Sequence, residues 1–100
     1  MVKVQVKITP SLAGSLNSSG SHWLILEREI AERSTIGDLF RELAFDYAEF
    51  RKVVFEPDTG KINDQIVVVL NDKLLNFENI IKFILNEGDT VILVPMYAGG

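Results

Sequence analysis

The chain has no cysteine and a single histidine among its 100 residues. Without a thiol it cannot close a disulfide, ligate an iron–sulfur cluster, build a zinc–thiolate site or use a cysteine nucleophile. Any sulfur it handles must ride on another group. His22 cannot hold a metal alone, and its position just before a strand pattern reads as loop. Positive charge is also in deficit: ten Lys and Arg face fourteen Asp and Glu, for a net charge of -4. Nucleic-acid binding wants a basic face and is not expected. The acidity is mild, and it fits simple solubility as well as it fits a basic partner. Long apolar runs are missing too. The longest aliphatic run, Ile66 to Leu70, falls far short of the roughly 20 residues that span a bilayer. The N-terminal MVKVQVKIT alternates, where a secretory signal would run apolar. A cytosolic protein without a membrane partner is expected. No glycine-rich strand-to-helix turn carries a Lys-Ser or Lys-Thr pair, so the chain has no phosphate loop of its own. Asp58, Asn63 and Asp64 do not match the spacing of an EF-hand, and no metal site is expected.

What is present is enough apolar material for one small domain, at 47% of residues. Val2, Val4, Val6 and Ile8 alternate with Lys3, Gln5 and Lys7, which predicts a half-buried strand ending before Pro10. The Ser- and Gly-rich stretch 11–21 reads as a long flexible loop. A second strand follows over 23–29, with Leu24 and Leu26 facing in and Glu27 and Glu29 out. Thr35 is placed to cap a helix, with Asp38 three residues on to complete a capping box. Ile36, Leu39, Phe40, Leu43 and Tyr47 form its apolar stripe. Residues 51–65 read as a looser insertion with a turn at 56–60. The β-branched run 65–70 predicts a central strand. Asn71-Asp72 turns the chain into a short strand at 73–75. A short helical turn is expected within 77–85, with Ile81, Ile84 and Leu85 inward. Glu87-Gly88-Asp89 turns into a last strand at 90–94, closed by Pro95. This ββαβ(β)β order predicts an α+β fold, a β-grasp: a mixed four- to five-stranded sheet packed on one main helix. The globular domain is expected over 1–95 and a flexible tail over 96–100.

That tail ends in Gly99-Gly100. Glycines lack side chains, so a narrow slot can grip their backbone from all sides. The Gly100 carboxylate is inert until it becomes an acyl donor, and adenylation by ATP would achieve this because AMP leaves well. With no phosphate loop here, the activating machinery must be another protein. Five residues beyond Pro95 reach at most about 17 Å, enough to thread a pocket while the globule docks outside. A docking surface is expected on the outer sheet face, from Ile92, Val94, Leu74 and Val67 or its neighbours, extended by Met96, Tyr97 and Ala98. The competing expectation is that the 46–65 segment covers part of this face.

Three stretches resemble one family. Ser34-Thr35-Ile36-Gly37-Asp38-Leu39 resembles a helix start, and Val67 to Lys73 a strand with its Asn turn. Leu85-Asn86-Glu87-Gly88-Asp89-Thr90-Val91, with Pro95 and Gly99-Gly100, resembles the C-terminal signature of the MoaD/ThiS ubiquitin-like sulfur carriers. The resemblance implies a β-grasp fold and a Gly100 carboxylate that an E1-like enzyme of the MoeB/ThiF type adenylates with ATP. A sulfur donor would then convert it to a thiocarboxylate, with Gly99 permitting insertion. A MoaD-type member would dock into a MoaE-type large subunit and give its sulfur to molybdopterin, for a molybdenum or tungsten cofactor. The chain departs from the MoaD pattern in carrying Met96 where a second proline is usual, and in its longer 11–21 and 51–65 segments. The resemblance implies a carrier with no cofactor bound and no active site of its own. A ThiS-like carrier for thiamin or tRNA thiolation, a modifier joined to lysines through Gly100, and a β-grasp interaction domain are the alternatives.

Overall fold

The computed structural model describes residues 1–9, 23–75 and 80–95. The 11–21 loop, His22, residues 77–79 of the expected helical turn, and Met96, Tyr97, Ala98, Gly99 and Gly100 lie outside the described residues.

The alternating segments form the strands they predict. β1 (Val2–Ile8) and β2 (Leu24–Ile30) pair antiparallel, with Val6 opposite Leu26. β5 (Ile66–Leu70) pairs antiparallel with β6 (Lys73–Leu74) and with β7 (Thr90–Pro95). β7 also runs parallel to β1, which makes the sheet mixed, in the order β2-β1-β7-β5-β6. Asn71 and Asp72 turn the chain at φ 49° and 74°, left-handed values that short polar side chains tolerate better than most.

The inner face of this sheet is lined by Val4, Val6, Ile8, Ile66, Val68, Leu70, Val91 and Leu93, all buried. α1 (Ile36–Asp46) covers it with Ile36, Leu39, Phe40 and Leu43. The helix begins where its capping box forms. The Asp38 amide donates to Thr35 Oγ1 at 3.1 Å, and the Thr35 amide donates to Asp38 Oδ2 at 3.0 Å. Arg28 sits on the inner face of the edge strand β2 and reaches across to α1. Its guanidinium lies 2.6 Å from Asp46 and 3.4 Å from Glu42, and 5.8 Å over the Tyr47 ring. Partial burial works against the Arg28 charge, but the hydrogen bond and charge of Asp46 outweigh it, and its pKa is raised.

Two expectations need correction. The 51–65 region is not a loose insertion. It contains the end of α2 (Ala48–Val53) and a small hairpin of β3 (Phe55–Glu56) and β4 (Lys61–Ile62). Phe50, Val54, Phe55 and Ile62 are buried. Phe50 and Phe55 both meet the Phe40 ring edge-on, at 5.5 and 5.8 Å. This unit extends the helix-side core, because three aromatic rings packed edge to face bury more surface than an exposed loop could offset. The turn expected at 56–60 is present, with Gly60 at φ 71°. Ile84, expected inward, is 49% exposed. The helical turn is only three residues of 3₁₀ helix, Ile80–Lys82, after which the chain extends and Ile84 bridges to Thr35. Alternation in that extended segment sends Leu85 in and Ile84 out, while Ile80 fills the inner place and Ile81 is half-buried.

Candidate functional site

β7 is the element that leads to residues 96–100, and the sequence holds it firmly. The Glu87-Gly88-Asp89 turn places Gly88 at φ 86°, and its amide donates to the Lys3 carbonyl at 2.8 Å. The Lys3 amide returns a bond to Glu87 Oε1 at 2.9 Å. From the other side, the Asn71 amide group donates to Asp89 Oδ1 at 2.7 Å, and Asn71 Oδ1 accepts from the Thr90 amide at 2.9 Å. Asp89 Oδ2 accepts from the Asn86 amide at 2.8 Å. Both turns that flank the start of β7 are therefore tied to the sheet. At the far end, the Thr9 amide bonds the Leu93 carbonyl at 3.2 Å, so β1 accompanies β7 almost to Pro95.

The outer face of the sheet is divided along its strands. Toward the start of β7 it is polar: Lys3 lies opposite Glu29, and Gln5 opposite both Glu27 and Thr90. Lys3 and Glu27 are 4.0 Å apart. Toward the Pro95 end it is largely apolar. One row crosses all five strands as Ile25, Lys7, Ile92, Val69 and Leu74. At about 4.8 Å per strand this row is about 19 Å wide. One step further along stand Val94 and Val67, paired with each other, and then Thr9 and Trp23, one residue beyond the Ile8–Leu24 pair. Trp23, Ile25 and Leu74 are 49, 53 and 72% exposed, while Ile92, Val94, Val67 and Val69 are half-buried.

Ile92, Val94 and Leu74 are thus brought together on one face, with Val67 and Val69 between them. Met96, Tyr97, Ala98, Gly99 and Gly100 lie outside the described residues. The 46–65 segment sits against α1 on the opposite side of the sheet and does not cover the outer face. Sequence reasoning missed Trp23 and Ile25. Their outward position follows from the same alternation that turns Leu24 and Leu26 inward, and that signal was available. Phe45, 91% exposed, stands on α1 and belongs to the other side of the molecule.

The molecule also has a cleft of about 480 Å³ between α2 and the β3–β4 hairpin, lined by Arg51, Lys52, Phe55, Glu56 and Lys61 among others. Its lining draws on none of the sheet strands around β7. Two of its cations are already paired, Arg51 with Asp58 at 3.7 Å and Lys52 with Glu49 at 3.9 Å. Among the described residues, no group of three or more His, Cys, Asp or Glu could hold a metal ion. Also among them, no helix is long and apolar enough to cross a membrane. What the described site can do chemically is offer a largely apolar sheet face at the strand end that leads to residue 96.

The ThiS family model matches residues 24–100. The fold is shared with SAMP1 of Haloferax volcanii (22% identity, 98% of this chain and 99% of that one, TM-score 0.75). It is shared with a Pyrococcus furiosus protein assigned as molybdopterin converting factor, subunit 1 (21%, 97% and 100%, TM-score 0.70). Small archaeal modifier protein 1 of Methanosarcina acetivorans is similar as well (21%, 100% and 98%, TM-score 0.70). No curated protein sequence matches significantly.

Proposed function

The chain belongs to the ThiS family, a group of ubiquitin-like sulfur carriers and modifiers, and on that premise we propose that it is a sulfur carrier charged at Gly100. The observation that carries this reading is the division of the outer face: its apolar half lies at the end of β7 that leads into residues 96–100. A partner seated there needs its catalytic pocket within about 17 Å of Pro95, the reach of the last five residues.

In the proposed reaction the Gly100 carboxylate attacks the α-phosphorus of ATP in an E1-like enzyme of the MoeB/ThiF type and expels pyrophosphate. Sulfur at the sulfide level, from a donor, then displaces AMP and leaves a thiocarboxylate. Gly99 and Gly100 lack side chains that would obstruct the slot. The globule supplies docking and reach, and the partner supplies ATP binding and catalysis. The protein is a carrier in this scheme, with no bound cofactor. The acceptor we propose is the pterin precursor of the molybdenum or tungsten cofactor, held by a MoaE-type large subunit. The fold shared with the Pyrococcus protein supports this choice. The cytosol is the proposed compartment.

The experiment is intact-mass analysis after incubation with the adenylating enzyme, ATP and a sulfur donor. Replacement of one terminal oxygen by sulfur is expected, and removal of Gly100 abolishes it. No mass change with any adenylating enzyme of the source organism overturns the proposal. A second reading, conjugation through Gly100 to lysines of other proteins, is favoured by the fold shared with two archaeal modifier proteins. It expects lysines bearing an Ala-Gly-Gly remnant in chymotryptic digests of cells expressing this chain, since cleavage after Tyr97 leaves those three residues, and their absence refutes it.

A further inference from the structure

Lys7 occupies an unusual place on the outer face. It stands second in the five-strand row, with Ile25 on one side and Ile92 on the other. Within the two apolar rows it is the only charged side chain. Its neighbours two residues away along β1 are Gln5 and Thr9. The nearest acid by register is Glu27, diagonal to it on β2, and Glu27 already lies by Lys3 at 4.0 Å. Among the described residues no carboxylate lies within ion-pair distance of the Lys7 ammonium.

In the free protein this arrangement costs little. Lys7 is half-buried between Ile25 and Ile92, a setting in which a lysine lays its hydrocarbon stem along apolar neighbours and keeps its ammonium in water. When an apolar partner covers the row, the ammonium loses that water. An uncompensated buried charge is expensive, and a matching acid both removes the penalty and fixes the register of docking.

Resting on the carrier reading above, we infer that Lys7 is a specificity-determining residue of the docking face, and that the adenylating partner presents an Asp or Glu carboxylate to it from within an apolar surface. A partner with the same apolar shape but no acid at this point docks poorly, and so does one presenting a cation.

The test compares full-length wild-type protein with Lys7→Met and Lys7→Arg by calorimetric titration against the adenylating enzyme, with ATP–pyrophosphate exchange followed in parallel. Methionine keeps the stem and removes the charge, so it strands the partner's carboxylate. Lys7→Met is expected to weaken binding by at least about tenfold. Lys7→Arg keeps the charge and is expected to stay within about threefold of wild type. Rising salt should weaken the wild-type complex more than the Lys7→Met complex. Lys7→Met binding within tenfold of wild type, or more tightly, means that the ammonium merely turns out to solvent, and overturns the inference. So does Lys7→Arg falling as far as Lys7→Met. Absence of exchange with the wild-type chain overturns the carrier reading and this inference with it. Exchange together with an unweakened Lys7→Met complex overturns this inference alone.

Discussion

Gly37→Ala sets two effects of opposite sign against each other, and the structure decides between them. Gly37 lies in the first turn of α1, where alanine is ordinarily the better helix former by up to about 1 kcal/mol. Its backbone is helical and needs no glycine. The obstacle is space. A Cβ at position 37 would stand 2.9 Å from the Ile81 carbonyl oxygen and 3.1 Å from Ile81 Cβ. The nearer contact is backbone, so no rotamer change relieves it. Either α1 or the 3₁₀ turn must move by a few tenths of an ångström. That movement pulls on the two hydrogen bonds that join them, Leu85 amide to Ser34 carbonyl at 2.8 Å and Ile36 amide to Phe83 carbonyl at 2.9 Å. Overpacking of this kind costs about 1–3 kcal/mol, which exceeds the propensity gain. Taking the middle of that range, about 2 kcal/mol, less a gain of at most about 1 kcal/mol, a net loss of at least about 1 kcal/mol is expected, with a fall in the melting midpoint of about 4–8 °C per kcal/mol. Urea unfolding with an unchanged slope is the assay, since an unchanged slope places the loss in the folded state's stability. A Gly37→Ala protein as stable as the wild type, or more so, would show that helix and turn are not in the close contact described.

Asn71→Ala removes both side-chain bonds that tie the β5–β6 turn to β7 and places alanine at φ 49°. A loss of about 2 kcal/mol is expected in chemical denaturation, with Asn71→Gly less damaging because glycine tolerates that φ. Thr35→Ala breaks the capping box and should cost about 1 kcal/mol in the same assay. Leu74→Asp, at a site 72% exposed, should leave stability within about 0.5 kcal/mol of wild type and weaken docking to the adenylating enzyme; equal binding would remove β6 from the docking face. Trp23 is the chain's single tryptophan, so its emission should shift to shorter wavelength when a partner covers the apolar rows. An unchanged spectrum in the complex would place the interface elsewhere.

Much of this fold is legible from local pattern. Alternation over 2–8 and the capping box at Thr35 each carry a strong, short-range signal, and the structure follows both. The 47–65 unit is not legible, because strands of two residues have no periodicity to read. Phe50 and Phe55 find their places through Phe40, a contact set by tertiary packing. Ile84 misleads because its helical spacing to Ile81 does not hold past a turn that ends at Lys82. The candidate site is legible as single residues but not as a surface. Ile92 and Leu74 could be assigned to one face by parity. The row that joins them to Lys7 and Ile25 depends on a parallel register between β1 and β7, whose partners, such as Gln5 and Thr90, are 85 residues apart in sequence.

The parallel pairing of β7 has a consequence for how the molecule comes into being. β7 is the last strand in the described chain, yet it occupies the middle of the sheet. Until it inserts, β1–β2 and β5–β6 are two separate hairpins, and isolated hairpins are marginal in water. Synthesis runs from the N-terminus at about 5–20 residues per second, so the core cannot close on the ribosome until the strand that leads to residues 96–100 has emerged. Closure also waits on a contact of long sequence separation, which is the slow kind. The same event that completes the sheet therefore fixes Pro95, the last described residue, at the end of a paired strand. A chain with β7 unpaired has no continuous five-strand row, so under the proposed function docking on that row would select finished molecules.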